Sequence, residues 1–430
     1  MRTYVSSLGC KLNQVEIETL ANQLAVAGHE IVPSPDEAEL CILNTCAVTH
    51  VAAQKTRQAL RRMHRENPST RLVATGCYAE LSPAELGELP GVELVTGNQD
   101  KGNLVELLGG LLRSPESGGP DPESGTRAHF HPCRTRALVK IQDGCDNACT
   151  YCIIHVARGP QHSRSVDLIL SDVRARLDAG HQEVVLTGVH IGAYGRDGVR
   201  AFHGGDLWTL VGRILAETPV PRLRLSSIEP WDLPKRALRL WDDRRLCRHL
   251  HLPLQSGCDA TLKRMDRHYT AAQFTALVAA ARDAIPDLAV TTDVIAGFPG
   301  ETAEEFEASL ALVKATQFAR VHVFPFSLRP GTPAAGMQDQ VPPAVKAERA
   351  RAMRRAAEAG RRAFCQRFVG RTMEVLWESS RKGEAGLAWR GLTDNYLRVT
   401  TTDNRGLSNT LTPARLVALS HGGLEGRIAE

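Results

Sequence analysis

The chain has no unbroken apolar stretch near the ~18 residues that a membrane-spanning helix needs. Its N-terminus, MRTYVSSLGCKLNQ, also lacks the apolar core of a secretory signal peptide. We therefore expect a cytoplasmic protein with no membrane partner. An excess of one charge is missing as well, since 52 Lys and Arg stand against 48 Asp and Glu. Overall charge therefore does not by itself indicate a nucleic-acid partner.

The length is sufficient for several hydrophobic cores. At roughly 150 residues per domain, 430 residues predict two to four domains. Hydrophobic residues make up 43% of the chain and charged residues 23%, which is typical of globular proteins and excludes a disordered tail protein. The eleven cysteines are an odd number in a chain without a signal peptide, so a disulfide framework is not indicated. Such cysteines are more often metal ligands, catalytic groups or core residues.

Two α/β regions follow one another along the chain. Residues 1–112 alternate short apolar runs with helical patterns, which predicts a parallel sheet with crossover helices. Residues 113–130, RSPESGGPDPESGTRAHF, have the composition of a linker. Residues 131–366 contain six further strand–helix units. Six units predict a partial (β/α)6 barrel resembling a TIM barrel, with its chemistry at the carboxyl ends of the strands.

The last part of the chain changes character. Residues 344–371 have a helical pattern with nine Lys and Arg against two Glu. The remainder of 367–430 contains short strands separated by Gly and Asn turns, which predicts a small β-barrel.

A closely spaced cysteine triplet is the strongest chemical motif. Cys145, Cys149 and Cys152 form a C-x3-C-x2-C run directly after the candidate strand ALVKIQDG. Three thiolates on one loop can bind three irons of a [4Fe–4S] cluster and leave the fourth iron open. The alternative is a zinc site, but structural zinc usually has four protein ligands, and no fourth ligand is evident nearby.

A second set of cysteines is dispersed. Cys10, Cys46 and Cys77 lie 36 and 31 residues apart, and each follows a predicted strand. The carboxyl ends of parallel strands share one edge of a sheet, so we expect these thiols to converge on a second cluster. The alternative is three buried core cysteines. Cys41 lies five residues before Cys46 on the same predicted strand. Side chains alternate faces along a strand, so an odd separation points Cys41 to the opposite face. Core packing is also the interpretation for the cysteines that fit no ligand pattern, which are Cys133, Cys247, Cys258 and Cys365.

These motifs together resemble the radical S-adenosylmethionine methylthiotransferase family. That family has an N-terminal cluster domain, a radical barrel and a small RNA-binding TRAM barrel, and the resemblance covers nearly the whole chain. SSLGCKLNQVE around Cys10 and LNTCAVTHVAAQKTRQ around Cys46 resemble the branch that acts on N6-threonylcarbamoyladenosine in tRNA. The isopentenyladenosine branch usually shows GCQMN and the ribosomal-protein branch GCPKN. The resemblance divides the chain at 1–112, 113–130, 131–366 and 367–430.

The resemblance implies a role for each matching position. Cys145, Cys149 and Cys152 would hold the radical cluster, and Cys10, Cys46 and Cys77 an auxiliary [4Fe–4S] cluster that presents sulfur. His155 departs from the family, which commonly has proline there. The positions implied to bind S-adenosylmethionine are Tyr151, Thr187, Gly188, Ser227, Glu229, Gln255, Ile295 and Phe298.

The implied reaction adds a methylthio group to C2 of the modified adenine at position 37 of tRNA. That carbon has an unactivated C–H bond, so a cofactor must supply the reactivity. The implied partners are the tRNA anticodon loop, a reducing electron donor and a sulfur donor. Two alternatives stay open at this point. One is the same chemistry on isopentenyladenosine tRNA or a ribosomal-protein aspartate, and the other is a non-catalytic RNA-binding iron–sulfur sensor.

Basic residues offer two candidate RNA surfaces. The first is the Arg-rich stretch 349–371 with the strands that follow it. The second is a run in the N-terminal region that comprises Arg57, Arg61, Arg62, Arg65 and Arg71. Cations that contact phosphates while loop bases are splayed out are typical of RNA-binding proteins. A solvated helix face is the alternative for both runs.

Overall fold

The computed structural model describes residues 1–112, 135–197, 205–383 and 386–429. The expected linker 113–130 and Cys133 lie outside the described residues. Within the described ranges, no helix is both long enough and apolar enough to cross a membrane.

The N-terminal region is an α/β layer structure with a parallel sheet. Its elements are β1 Arg2–Ser7, α1 Lys11–Val26, β2 Glu30–Ile31, β3 Leu40–Thr45, α2 His50–Glu66, β4 Arg71–Gly76, α3 Cys77–Leu81, α4 Pro83–Gly87, β5 Val92–Thr96 and α5 Leu104–Leu112. The strand order is β2-β1-β3-β4-β5, and every pair is parallel. All six residues of β3 are buried, as expected for a parallel strand covered on both faces. The predicted parallel α/β sheet is confirmed.

The central region contains the six predicted barrel strands. Its elements are β6 Arg136–Lys140, β7 Gln142–Asp143, α6 Ile154–Arg158, β8 His162–Ser163, α7 Val166–Asp178, β9 Glu183–Thr187, α8 Leu207–Glu217, β10 Arg222–Leu225, β11 His249–His251, α9 Asp259–Arg264, α10 Ala271–Ala284, β12 Ala289–Ala296, α11 Ala303–Thr316, β13 Arg320–Pro325 and α12 Pro343–Gln366. Parallel sheets β10-β9-β6 and β11-β12-β13 are joined by single parallel bridges such as Leu223 to Leu246. The six strands therefore form a partial barrel.

Local sequence signals define the ends of several barrel helices. Thr270 and Thr302 each cap a helix. The backbone N–H of each threonine donates in return to the side-chain oxygen three residues on, of Gln273 or Glu305. This capping box satisfies amide groups that have no partner inside the helix. The helices then bury their apolar faces on the strands, for example through Phe274 and the core of β12.

The C-terminal region is a closed five-stranded barrel. Its strands are β14 Thr372–Gly383, β15 Gly386–Thr393, β16 Arg398–Thr402, β17 Leu411–Ser420 and β18 Gly423–Ile428, in the order β14-β15-β16-β18-β17. The small barrel expected from the sequence is confirmed. The runs TMEVLWES, EAGLAWRG, YLRVTTTD and LSNTLTPARLVAL predict four of these strands. The fifth, β18, is not predicted, because the two glycines in GLEGRI weaken its strand signal. The helical pattern over 344–371 corresponds to α12, which ends at Gln366.

Buried charges join the C-terminal barrel to the central one. Arg224 is fully buried and binds Glu183 at 2.6 Å. The same guanidinium donates to the backbone oxygens of Asp394 at 2.9 Å and Thr393 at 3.2 Å. Since Thr393 ends the second strand of the small barrel and Asp394 follows it, Arg224 links the two barrels.

Candidate functional site

The three N-terminal cysteines meet at one edge of the N-terminal sheet. Cys10 is the residue before α1, Cys46 directly follows β3, and Cys77 directly follows β4. The strands that precede them are neighbours in the sheet. Their thiols also interact electrostatically with one another. The structure therefore brings these cysteines together, as their positions at strand ends predict, whereas their role as ligands stays a prediction.

A glycine makes this close approach possible. Gly9 has a φ of +98°, and a Cβ atom built on it would lie 2.5 Å from the Cys46 sulfur. Any side chain at position 9 would therefore collide with a thiol of the neighbouring strand end. The backbone of the Cys10 loop can lie against Cys46 because position 9 has no side chain and adopts a left-handed conformation.

Asparagine side chains order the surroundings of these thiols. Asn13 lies 3.7 Å from the Cys10 sulfur and donates to the backbone oxygens of Leu8 at 2.8 Å and Thr45 at 2.9 Å. Asn98 lies 3.7 Å from the Cys77 sulfur. Burial raises the pKa of Cys46 to about 11, so its thiol stays protonated near neutral pH unless a metal displaces the proton.

The central cysteine triplet occupies the loop between β7 and α6, and each sulfur has a polar neighbour. Arg267 lies 3.5 Å from the Cys149 sulfur, and His190 lies 4.0 Å from the Cys145 sulfur. The backbone N–H of Ile154 points at the Cys152 sulfur from 3.5 Å. Donors of this kind stabilise anionic thiolates and tune the metal centre that they bind.

The sequence predicts an iron–sulfur cluster at each triplet, and the structure shows how tightly the possible ligands are grouped. Among the described residues, no group of three or more His, Cys, Asp or Glu side chains converges closely enough to hold one metal ion. A structural zinc ion requires four such ligands at one point. An iron–sulfur cluster distributes its thiolates over several irons, so three separated cysteines suffice when one iron stays open. Burial raises the pKa of Cys152 to about 12, which again suits a thiol that a metal deprotonates.

Several predicted S-adenosylmethionine residues share one apolar cluster. The rings of Tyr151 and Phe298 pack edge to face at 6.5 Å, and Ile295 belongs to the same cluster. Thr187 is buried at the end of β9, next to Gly188. A Cβ at Gly188 would lie 2.8 Å from the backbone oxygen of Gln142, so a side chain there would strike the strand that leads to the cysteine loop.

The other three predicted pocket residues differ in exposure and in charge. Ser227 is exposed and pairs with the end of β11 through His251. Gln255 has a φ of +58° and donates its backbone N–H to Asp293 at 2.8 Å. Glu229 forms an ion pair with Arg267. Because Arg267 also lies 3.5 Å from the Cys149 sulfur, Glu229 is linked through Arg267 to the cysteine loop.

Two residues that no sequence motif indicates lie next to the central triplet. Arg267 is 1% exposed and stacks on Trp231, with 4.7 Å between its guanidinium and the ring centre. His190 binds Asp232 at 2.5 Å. Burial alone would lower the pKa of His190, but its contact with Asp232 outweighs burial and raises it to about 9. No motif flags these residues, although His190 stands just after β9, where barrel enzymes concentrate functional groups.

The short helix α6 connects the two cysteine sets. It begins two residues after Cys152, and the backbone oxygen of Ala157 accepts a 2.6 Å hydrogen bond from Asn98, the neighbour of Cys77. His155 is the second residue of this helix. Proline is well suited to the first helical turn, where the family commonly has it. Helix α6 forms here with histidine at that position, so the helix does not depend on proline.

Arg158 at the end of α6 lies at the centre of a buried ion network. It is 2% exposed and binds Glu16 of the N-terminal region at 2.8 Å and Asp143 at 2.9 Å. Lys101 and Lys140 complete the network on Glu16 and Asp143, at 2.6 Å and 2.5 Å. Arg158 also interacts electrostatically with the thiols of Cys10, Cys46 and Cys77.

On the predicted RNA surfaces, some arginines are paired with acidic side chains and others are exposed. Arg349 is 12% exposed and binds Glu301 at 2.8 Å, so its guanidinium is already paired within the protein. Arg351, Arg354 and Arg355 on the same helix are exposed. In the N-terminal run, acidic partners engage three members, which are Arg57 with Glu85, Arg62 with Glu66 and Arg71 with Glu93.

Comparison with known families accounts for both α/β regions. Residues 2–97 match the family described as uncharacterized protein family UPF0004, and residues 139–313 match the radical SAM superfamily. A radical S-adenosylmethionine methyltransferase, TsrM, from Kitasatospora setae has a related fold, with a TM-score of 0.56 over 78% of this chain and 74% of that one at 16% identity. Membership of the radical SAM superfamily means that the chain uses an iron–sulfur cluster and S-adenosylmethionine.

Curated relatives match almost the whole chain. The threonylcarbamoyladenosine tRNA methylthiotransferase of Bacillus subtilis is 36% identical over 98% of this chain and 95% of its own length. The enzyme of the same name from Thermotoga maritima is 37% identical over 87% of this chain and 86% of its own length. The tRNA-2-methylthio-N(6)-dimethylallyladenosine synthase of Symbiobacterium thermophilum is 32% identical over 100% of this chain and 94% of its own length. The chain therefore belongs to the radical S-adenosylmethionine methylthiotransferase family, in the branch of the threonylcarbamoyladenosine enzymes.

Proposed function

We propose that this chain adds a methylthio group to C2 of N6-threonylcarbamoyladenosine at position 37 of tRNA, using two [4Fe–4S] clusters. One observation carries the proposal beyond family membership. Helix α6 follows the central triplet, and its residue Ala157 accepts a hydrogen bond from Asn98, whose side chain also lies beside the Cys77 sulfur. A site that generates a radical and a site that presents sulfur would then share one substrate cavity.

The cysteines divide between the two clusters according to region. Cys145, Cys149 and Cys152 hold the radical cluster, while Cys10, Cys46 and Cys77 hold the auxiliary one. When bound, the radical cluster and S-adenosylmethionine supply the one-electron chemistry that an unactivated C–H bond requires. The protein residues bind, orient and exclude water around these groups.

The pocket for S-adenosylmethionine lies beside the central cysteine loop. We assign the apolar cluster of Tyr151, Ile295 and Phe298 to the adenine ring, because aromatic and aliphatic side chains cover such a ring well. The end of β9, at Thr187 and Gly188, approaches the methionyl part. Around these, Ser227 and Gln255 supply polar groups, and Glu229 keeps Arg267 pointed at Cys149.

The target base must leave its stack to reach this cavity. RNA-binding proteins commonly read such splayed bases while cations hold the flanking phosphates. We assign that role to the exposed arginines of α12 and to the C-terminal barrel.

An electron donor and a sulfur donor complete the cycle, in the cytoplasm. The division into functional regions at 1–112, 113–130, 131–366 and 367–430 is part of the proposal.

A second candidate substrate is isopentenyladenosine in tRNA. It is favoured by relatives named as tRNA-2-methylthio-N(6)-dimethylallyladenosine synthases, at 31–34% identity. The sequence Lys11-Leu12-Asn13 after Cys10 favours the threonylcarbamoyl substrate instead. Asn13 is common to all three branch motifs, so the difference lies at Lys11 and Leu12.

Mass spectrometry of nucleosides tests the proposal. Iron-reconstituted protein is incubated anaerobically with dithionite, S-adenosylmethionine and tRNA that carries either modification. We expect a methylthio product from threonylcarbamoyladenosine tRNA, together with 5′-deoxyadenosine. A product from isopentenyladenosine tRNA alone would favour the second candidate. Neither product from fully iron-loaded protein would contradict the proposal, and a lack of 5′-deoxyadenosine as well would favour an RNA-binding sensor.

A further inference from the structure

The loop after β13 lies between the two cysteine triplets. Ser327 accepts a 3.4 Å hydrogen bond from the backbone N–H of His50, four residues after Cys46. Farther along, Ala334 donates its backbone N–H to Thr150 of the central cysteine loop at 2.8 Å. The segment from Ser327 to Ala334 therefore contacts the surroundings of both sets, and Arg329 lies within it.

The guanidinium of Arg329 is partly buried and has no hydrogen-bond partner among the residues that the structure describes. Its Nε and Nη2 atoms are inaccessible to solvent and make no hydrogen bond within the described part of the chain. Four other arginines there also have a buried nitrogen without a partner, but each makes another side-chain bond. These bonds run from Arg222 to Glu183, Arg264 to Glu305, Arg267 to Glu229 and Arg282 to the Gln317 oxygen.

The neighbours of Arg329 do not neutralise it. Burial lowers the pKa of Arg329, and electrostatic interactions with Cys46 and Tyr78 offset only part of that effect. No Asp or Glu forms an ion pair with it in the described ranges. Nitrogen donors that are shielded from water and left unpaired are costly, so they mark a position where a ligand supplies the missing acceptor.

We infer that Arg329 is a specificity-determining residue that binds the carboxylate of the substrate's threonylcarbamoyl group. This inference rests on the proposed function, because the threonyl part of that substrate carries a free carboxylate. A guanidinium presents donors in a planar fork that matches the two oxygens of a carboxylate. The isopentenyl group is an uncharged hydrocarbon and would leave those donors unpaired. Arg329 would then select between the two tRNA substrates.

The inference concerns recognition, so binding is the direct measurement. The probes are an anticodon stem-loop RNA carrying threonylcarbamoyladenosine and the same RNA with the threonyl carboxylate converted to its methyl ester. Dissociation constants are measured by fluorescence anisotropy with the iron-loaded full-length protein under anaerobic conditions. We expect the wild type to bind the acid roughly ten- to a hundredfold more tightly than the ester, as for loss of a charge-assisted hydrogen bond.

Variants test whether Arg329 causes the preference for the acid over the ester. Arg329→Met is expected to bind acid and ester equally, whereas Arg329→Lys keeps the charge and restores part of the preference. The matched control is Arg239→Met, an exposed arginine on the segment Lys235–Asp242, which should behave as the wild type. If Arg329→Met does not fold, the wild-type comparison and Arg329→Lys still decide the question.

Three results separate this inference from the proposed function. A wild type that modifies the acid RNA but binds acid and ester within about twofold contradicts only the inference. A preference for the acid that survives in Arg329→Met also contradicts it. Failure of the wild type to modify threonylcarbamoyladenosine RNA at all, with iron fully loaded, contradicts the proposed function and the inference that rests on it.

Discussion

The guanidinium of Arg158 donates a 2.7 Å hydrogen bond to the side-chain oxygen of Asn13. The amide nitrogen of Asn13 in turn binds the backbone oxygens of Leu8 and Thr45. Thr45 immediately precedes Cys46, and Leu8 lies two residues before Cys10. An arginine of the central region therefore orders the loops that present thiols in the N-terminal region.

Replacing Arg158 by Gln should destabilise the protein and lower the iron content of the N-terminal site. Within this network, Glu16 and Asp143 would keep lysines as their charged partners, and removing one member of a buried ion network costs about 3 kcal/mol. Denaturation with guanidinium chloride measures the change in stability. Iron counted per chain after anaerobic reconstitution measures the change in iron content.

Arg174→Gln is the matched control for that change, since its pairing with Glu217 is exposed and 3.9 Å long. It should shift the free energy of unfolding by less than about 1 kcal/mol. Equal stability and iron content in the two variants would contradict the role given to Arg158.

Removing the three N-terminal cysteines together should remove about four irons per chain. The variant carries Cys10→Ala, Cys46→Ala and Cys77→Ala, and iron and sulfide are counted after anaerobic reconstitution. Formation of 5′-deoxyadenosine should persist because the central triplet is intact. Cys365→Ala, in the core near the C-terminal barrel, controls for the loss of a buried thiol. Unchanged iron in the triple variant would rule out the auxiliary cluster.

The buried pair of Glu183 and Arg224 should make stability depend on acid pH. Burial alone would raise the pKa of Glu183, but Arg224 and Arg222 outweigh it and lower it to about 2. The unfolded value is about 4.3, so the unfolded chain binds the proton first as the pH falls. This stabilisation is complete above about pH 4.3 and disappears towards pH 2.

Glu183→Gln isolates this contribution. The variant should be about 3 kcal/mol less stable than the wild type at pH 7, because two buried arginines lose their carboxylate. The difference in the free energy of unfolding should shrink as the pH falls from about 4 to about 2. A difference that is independent of pH over that range would show that the charge of Glu183 is not its cause.

Exposed arginines on α12 should contribute to tRNA affinity through the phosphates. Changing Arg351, Arg354 and Arg355 to Gln should weaken binding and reduce the slope of log K against log salt by about 2 to 3. Arg349→Gln on the same helix should instead lower stability, since Arg349 is paired with Glu301. Equal salt slopes in the triple variant and the wild type would show that these three arginines do not contact the tRNA phosphates.

Local patterns predicted the elements that carry chemistry. The six barrel strands and the strands before Cys10, Cys46 and Cys77 have apolar runs that end in turns, and such runs are visible without a structure. The fifth strand of the C-terminal barrel was missed because Gly423 and Gly426 interrupt its pattern. The pairing of Arg349 with Glu301 was not predicted, because charge density along a helix does not show which side chains find a partner in another element.

The sequence by itself determined the two cysteine sets, the order of the regions and the family, because spacing along the chain and strand periodicity are local properties. Only the tertiary structure decided which charged side chains surround those cysteines. Arg158, Arg267 and Arg329 come from separate segments and meet Asn13, Glu229 and the Cys46 loop across long stretches of chain. Such contacts arise when the barrel and the N-terminal sheet pack together, and no local pattern encodes them.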